Sequence, residues 1–495
     1  MSTTNENGLL YTGWTKPRNS GLFGLTWGTT IVCFVLVIAV MGSMLIGGFK
    51  VGAAVLAVSV VVAAPLVWGR DGRSGYEMTV LRMQWLRTRR RRENIYRGGL
   101  FSEIPGGKAL LPGVAADTKL YEGEDAAGYR FGMIHMPKLH LYTVVLKAWP
   151  QGDEAVDQSM INEWVGEWGV VLASMGQTSD VVSVVPVIDC VPETGNRLLA
   201  EVIRQTEPDS PQLAQDSNYE AAELFATEQA QLLPRLAVTF RATTDARKKD
   251  PSEQAVEIGR RLPGLCAAMR SAGVGVRPMA ASDVISFVRR STDPASQEDI
   301  ERADATVEGH GLDWSDAGPI SHEERFDQYI HDGARSVTWE MEMAPTGAVD
   351  EGVLRRILAP NPDIPRKRVA IVYRPHTAAD AVKIVDNDYK NALIAEQGGK
   401  GIGSVTATLK VEATARAREE QARGHGLVRF GILITITEPL DGDIPAIDAI
   451  IKDLSVQARL KVRRAYRYQA AGFYGSLGIG VILPEHASMP SAMAG

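Results

Sequence analysis

The stretch "LTWGTTIVCFVLVIAVMGSMLIGGFKVGAAVLAVSVVVAAPLVWGR" (Leu25–Arg70) decides what kind of fold this chain can have. No charged side chain occurs between Arg18 and Lys50, and none between Lys50 and Arg70. Leu25–Ile46 is long enough to cross the roughly 30 Å of a bilayer's hydrocarbon as a helix, and Val51–Trp68 forms a second apolar run. Only "GGFK" (Gly47–Lys50) separates the two. The pattern therefore predicts a transmembrane helical hairpin over 25–69, behind a cytoplasmic tail over 1–24. Helices satisfy their own backbone polar groups, which a bilayer requires. Lys16, Arg18, Arg70 and Arg73 flank one side against Lys50 alone on the other, so the positive-inside bias places both termini in the cytoplasm. Trp14, Trp27 and Trp68 fall near the expected interfaces. A cleaved signal peptide fits poorly, because the apolar run is too long and a second one follows it.

Beyond the apolar runs, residues 70–99 read as a basic juxtamembrane segment. Within "VLRMQWLRTRRRRENIYRGG" (Val80–Gly99) stand Arg82, Arg87, Arg89, Arg90, Arg91, Arg92 and Arg97, with Glu93 the single acid. Beside the cytoplasmic leaflet each arginine gains roughly 1 kcal/mol from anionic lipid. Val80, Met83, Trp85 and Leu86 add an apolar component suited to an interfacial helix. Lipid contact ranks first for these arginines, the acidic surface of a protein partner second, and nucleic acid last.

The chain of 495 residues carries 53 Lys and Arg against 59 Asp and Glu, a net charge of −6, so the part beyond the anchor is distinctly acidic. Such a body disfavours nucleic-acid binding. The three cysteines, Cys33, Cys190 and Cys266, form no Cys-x-x-Cys pair, which fits a reducing cytosol. The remainder divides into two α+β modules, 100–300 and 301–495, at the polar stretch Ser291–Asp313. In the first, Leu141–Trp149, Asp180–Ile188 and Arg235–Phe240 read as strands. Val156, Met160, Trp164, Trp168, Val171 and Met175 mark the apolar face of a helix that Gly176 ends. Asp250, Pro251 and Glu253 open another helix, which Pro263 should kink or end. In the second module Ser336–Met343 alternates, with Val337, Trp339, Met341 and Met343 on one face and Glu340 and Glu342 on a solvated one. Lys367–Pro375 and Arg429–Thr437 are further strands, and Asp350–Leu358, Thr377–Ile394 and Pro445–Leu454 are helices. Ala395–Gly426 reads as a glycine joint followed by an exposed helix. The repeated alternation suggests related modules, without a residue-level repeat.

Chemistry-bearing motifs are missing from the sequence. "GGKGIGS" (Gly398–Ser404) and the Gly106-Gly107-Lys108 stretch lack the spacing of a phosphate loop. His322 and His331 have no metal-ligand spacing, and His135 and His140 flank "MPKL" without one either. Cys190 and Cys266 lie in apolar surroundings that leave a thiol inert. "RLKVRRAYRYQAAGFYGSL" (Arg459–Leu477) interleaves basic and aromatic residues. It reads as a strand leading into a helix with Tyr466, Ala470 and Phe473 or Tyr474 packed inward, in preference to a stacking platform for single strands. No catalytic, cofactor or metal residue emerges.

Several segments together resemble an actinobacterial family of integral membrane proteins encoded beside type IV secretion motor ATPases. They are "YTGWTKPRNSGLFGL", the hairpin and arginine run, "LYTVVLKAWP", "RLPGL", "VRPM", "GLDWSDAGPISHEERFDQYIHDGARSVTWEMEMAP", "PDIPRKRVAIVYRPH", "GHGLVRFGILITIT" and "RLKVRRAYRYQAAGFYGSLGIGVILPEH". The ending is also similar to the close of the non-catalytic N-terminal domain of VirB-type conjugation ATPases, with Gln469, Phe473, Leu483 and Pro484 at the matching places. The resemblance implies a non-enzymatic scaffold of a type IV-like secretion or conjugation machine. Its implied partners are a separate motor ATPase, anionic lipid and further copies of itself, and it implies no cofactor. Rival readings are a type VII secretion membrane component, a membrane-anchored enzyme using Glu340, Glu342, His322 or His331, and a DNA-handling membrane protein.

Overall fold

The computed structural model describes residues 9–14, 27–67, 69–70, 73–99, 102, 108–152, 155–207, 209–225, 230–345, 347–397 and 405–486. Lys16, Arg18, Trp68 and the "GGKGIGS" stretch lie outside them, as does most of the tail over 1–24. The apolar region forms α1 (Trp27–Val67), and its segment Thr30–Val61 is long and apolar enough to cross a membrane, with mean hydropathy 2.6. This revises the expected pair of helices with a four-residue loop. Helical structure runs through "GGFK", and only Gly48 departs from it, at φ 71° and ψ −179°. That conformation is essentially confined to glycine, so the break needs one residue and no loop. Across the break the chain is close-packed: a Cβ added at Gly52 would collide with the Met44 side chain. A short ladder, β1 (Gly69–Arg70) with β2 (Arg73–Ser74), then leads into α2 (Gly75–Arg90) and β3 (Ile95–Arg97).

The body opens with β4 (Lys119–Glu124) and β5 (Arg130–Met136). There follow β6 (Leu141–Pro150), α3 (Gln158–Gln177), β7 (Val181–Pro192), α4 (Asn196–Gln205), α5 (Gln212–Phe225) and β8 (Ala230–Arg241). Then come α6 (Asp245–Lys249), α7 (Pro251–Ser271), β9 (Val274–Pro278), α8 (Ala281–Thr292) and α9 (Gln297–Asp304). Beyond residue 300 lie β10 (Ser321–Glu324), β11 (Tyr329–His331), β12 (Ala334–Met343), α10 (Arg355–Leu358) and β13 (Arg366–Pro375). The chain continues through α11 (Ala378–Gln397), α12 (Val405–Ala422), β14 (Val428–Pro439), α13 (Ile444–Gln457), β15 (Lys461–Arg464) and α14 (Gln469–Ser476).

Among the described residues one 13-stranded sheet joins β3 to β15, in the order β3-β10-β11-β12-β14-β13-β7-β8-β6-β5-β4, with β15 beside β12 and β9 beside β6. The same arrangement occurs twice in it. In the first half β6-α3-β7-β8-α7-β9 places its strands in the order β9-β6-β8-β7. In the second, β12-α10-β13-β14-α13-β15 gives β15-β12-β14-β13. Each is a βαββαβ unit with its fourth strand beside its first, the ferredoxin-like split βαβ arrangement. Each also carries a preceding hairpin, β4–β5 or β10–β11, on the free part of its first strand. The units share a seam where β7 and β13 pair antiparallel, setting Arg368 opposite Asp189 and Ala370 opposite Val187.

Period-2 patterning explains the layers. Tyr142, Val144 and Leu146 of β6 meet Val171 and Met175 of α3 and Ile258, Leu262 and Met269 of α7 on one face. Leu141 and Val145 turn to the other face, against α8 and α14. In the second unit Val337 and Trp339 of β12 pack with Ile357 of α10 and Ile447 and Ile451 of α13. The second face is continuous across the seam, because α8 and α14 belong to one core with Val187, Ala370 and Leu433. Capping follows the sequence. Asp250 accepts the Ser252 N–H at 2.9 Å ahead of Pro251, and Asp443 accepts that of Ala446 at 3.2 Å. Pro263 does not end α7, which continues to Ser271, because Leu262, Cys266 and Met269 around it are all buried in the core. Asp350–Leu358 begins as a 3-10 turn, Glu351–Leu354, before its short α segment.

Candidate membrane-proximal interface

The basic segment is a helix with two different sides. No residue of α2 is buried. Leu81, Trp85 and Thr88 are half-buried at helical spacing, while Arg82, Met83, Leu86, Arg87, Arg89 and Arg90 are exposed. Trp85 meets Phe326 edge-to-face, with ring centroids 6.0 Å apart, and Phe326 stacks on Tyr466 at 5.2 Å. The Arg82 guanidinium lies 5.7 Å from the centre of the Phe326 ring, and that of Arg89 lies 5.3 Å from Trp85. The Arg82 head thus lies over a ring of the body and the Arg89 head over a ring of α2 itself, an arrangement in which cation–π attraction favours arginine.

The end of the helix brings the chain into the sheet. Arg92 takes a left-handed conformation, φ 56°, which turns the chain toward β3. Asn94 is buried. Its Nδ2 donates to the Glu324 carbonyl at 3.1 Å, and its own carbonyl accepts the Glu324 N–H at 2.8 Å. β3 then pairs with β10, setting Tyr96 opposite His322. The seven arginines therefore do not form one uniform patch. Arg97 donates to the carbonyls of Tyr96 and His322, at 2.9 and 3.1 Å, and Arg91 faces Glu93 across 3.5 Å at the surface.

Arg73, on β2, joins the segment after the apolar helix to the body. It is buried, and its Nη2 donates to Glu340 Oε1 at 3.1 Å and to the Tyr468 hydroxyl at 2.5 Å. Glu340 also accepts from Arg463 Nε at 2.6 Å and from the Tyr468 hydroxyl at 2.7 Å. The expected solvated face of β12 is thus corrected: Arg73, Arg463 and Tyr468 cover Glu340, and Lys461 pairs with Glu342 at 3.1 Å. Burial, with the neighbouring Glu340 charge, pushes the Tyr468 phenol well above its usual range. Sequence reading placed Arg73 among the flanking charges but had no means of finding its partners, which lie hundreds of residues away.

The other sequence candidates lie apart from this cluster. His322 and His331 sit opposite each other on β10 and β11, both buried. His322 Nδ1 pairs with the Tyr329 hydroxyl at 3.1 Å, and His331 lies 2.6 Å from the Thr292 carbonyl and 2.8 Å from Ser336 Oγ. Burial drives His331 down to about 3. His135 stacks on Tyr142, with centroids 4.2 Å apart. Lys108 donates to Ser315 Oγ at 2.8 Å. Burial pushes the Cys190 thiol up to about 11 and raises Cys266. In the Arg459–Leu477 stretch Ala470, Phe473 and Tyr474 are packed inward. Two guanidiniums there face carboxylates, Arg463 on Glu340 and Arg464 on Asp448 at 3.3 Å, while Arg459 donates to the Ala348 carbonyl.

Residues 18–77, which take in α1, the β1–β2 ladder and the start of α2, match a domain of unknown function (DUF8461). No curated protein matches the chain.

Proposed function

We propose that the chain is a membrane-anchored, non-enzymatic scaffold subunit of a type IV-like secretion or conjugation machine, holding a separate motor ATPase at the cytoplasmic membrane. The observation that carries the reading is the join between anchor and body. An apolar helix leads within a few residues to Arg73, which the body buries, and to α2, which turns Trp85 to the body and exposes Arg82, Arg87, Arg89 and Arg90. A rigid join of this kind suits a subunit that must hold its body against anionic lipid in a fixed attitude. We further infer that the chain reverses at Gly48, where Gly52 approaches Met44, so that two arms cross the bilayer, and the charge asymmetry about Lys50 favours both termini in the cytoplasm.

Two ferredoxin-like units fused through one sheet offer broad surface for a motor ATPase and for further copies. The similarity of the ending to VirB-type ATPase N-terminal domains points to the same partner. Gln469, one of the residues carrying that similarity, ties α14 to β12: its Oε1 accepts the Thr338 N–H at 2.8 Å, and its Nε2 donates to the Thr338 carbonyl at 3.2 Å. Purification of the tagged chain in mild detergent tests the reading. A type IV-type motor ATPase should co-purify in fixed ratio, and the isolated chain should not turn over ATP. Recovery with type VII core components instead, or ATP turnover lost in Lys108→Ala, would contradict it.

A further inference from the structure

The side of α2 turned away from the body has a composition of its own. At about 3.6 residues per turn, Tyr76, Met83, Leu86 and Arg90 fall on one side of the helix with Thr79 and Arg87 beside them, and Leu81 and Trp85 fall on the other. Burial follows the same division. Leu81 and Trp85 are half-buried, whereas Tyr76, Met83 and Leu86 are 36%, 67% and 48% exposed, and Thr79, Arg87 and Arg90 are exposed as well. The Thr79 hydroxyl donates to the Gly75 carbonyl at 2.8 Å, so its proton is already used within the helix. Glu77, the single acid of α2, is half-buried and stands off this line. Trp85, the ring best suited to a membrane interface, meets Phe326 instead. The place of the helix is also set. α1 lies against both α2 and β2, and the β1–β2 ladder folds the connection between the two helices back on itself. α2 therefore stays beside the apolar helix.

We propose that α2 lies in the surface of the bilayer, with Tyr76, Met83 and Leu86 seated where headgroups meet acyl chains and with Arg87 and Arg90 on anionic headgroups toward its C-terminal end. This rests on the reading of α1 as a membrane anchor and adds which side of α2 meets the lipid. Two observations choose lipid as the occupant of that side. The helix is held next to the apolar span, so the bilayer is the nearest apolar phase. The line is apolar up to Leu86 and basic beyond it, which matches acyl chains flanked by anionic headgroups. Helices of this kind sink about 5–10 Å into the boundary. The arginines then divide. Arg87 and Arg90 meet headgroups from the line itself, Arg82 and Arg89 reach out from its flanks over the Phe326 and Trp85 rings, and Arg97 stays in the sheet. The body stands on the opposite side of the helix, behind Trp85.

A fluorophore attached at Met83→Cys or at Leu86→Cys, in the full chain reconstituted into vesicles of phosphatidylcholine and phosphatidylglycerol, tests this. Both positions are exposed, so neither change touches the core, and the chain with only Cys33, Cys190 and Cys266 gives the labelling background. The same label at Val37→Cys in α1 is the reference for lipid, and at Val307→Cys, on the surface of the body, the reference for water. Labels at 83 and 86 should be quenched by nitroxide groups on the acyl chains and should lose most of the iodide quenching seen at 307. Nitroxide quenching at 37 but not at 83 and 86 would overturn the inference and leave the anchor standing. Its absence at 37 as well would remove the anchor reading too. Protection from iodide at 83 and 86 without nitroxide quenching would put a protein surface on this side of α2, and would equally overturn the inference.

Discussion

Asp189 shows how much of this molecule rests on single side chains. Burial alone would raise its carboxyl, but the Arg368 and Arg235 guanidiniums outweigh that and hold it below the ordinary carboxylate range. Replacing it with asparagine leaves two buried guanidiniums facing a neutral group at the seam, and should cost about 3–5 kcal/mol, read from denaturant midpoints of the full chain. Acid should act in the same direction. His331 is depressed from 6.5 to about 3, with burial the main cause and its bond to the Thr292 carbonyl opposing it. The unfolded chain therefore takes up that proton first. The stability tied to His331 is whole above about pH 6.5 and is lost as pH falls toward 3, by up to about 1.4 kcal/mol per pH unit. Asp189 adds to the loss only below the ordinary carboxylate range. Unfolding midpoints at pH 7, 6 and 5 check this, and a folded His331→Asn variant should show a shallower fall. His331 was singled out in the sequence without its partners, and Asp189 and its two arginines did not announce themselves there. Asp189 sits in "VVPVIDCVP", where the apolar run was legible and the lone acid was not. Its partners Arg235 and Arg368 come from strands that only the fold brings alongside.

At the scale of elements the pattern was far more legible. β-branched runs located β6, β7, β8, β13 and β14 to within a few residues at most ends, because a buried strand needs little beyond apolar side chains at period 2. The short strands β3, β10, β11 and β15 were harder, since each is defined by its neighbour more than by its own residues. α2 carries the arginine run on a helix and half-buries Leu81, Trp85 and Thr88 on one side. Its inner side is set by Phe326 and Tyr466, which the sequence does not place beside it. The structure refines what its arginines should do when changed. Lysine at 89, 90, 91 and 92 together keeps the charge and should leave membrane placement and transport intact, with a small loss from the Arg89 contact over Trp85. Glutamine at all four should weaken lipid attraction by up to ~4 kcal/mol, at roughly 1 kcal/mol per residue, and misplace the body without releasing it from the membrane. Vesicle binding and transport assays on both variants check this. A lysine variant as impaired as the glutamine one would move these residues to a partner's carboxylates, which need the planar fork.

For the whole molecule, the repeated βαββαβ unit explains why strand–helix alternation returned in both halves of the sequence without any matching residues. The two copies share topology and fill it with different side chains. In the first unit the helix after the first strand is α3, 20 residues long, and in the second it is α10, of 4. The long helical pairs α4–α5 and α11–α12 are inserted at the same point in each, between second and third strands. One sheet through both units is joined to the segment after the apolar helix by Arg73 and by β3, which on the proposed reading fixes the attitude of the body to the bilayer. That attitude has meaning only if the anchor crosses the membrane as a hairpin and leaves the body in the cytoplasm. A reporter active only outside the cell, inserted between Phe49 and Lys50 in one version and fused after Gly495 in another, measures this directly. The account predicts activity from the insertion and silence from the fusion. Silence from the insertion together with activity from the fusion would contradict it.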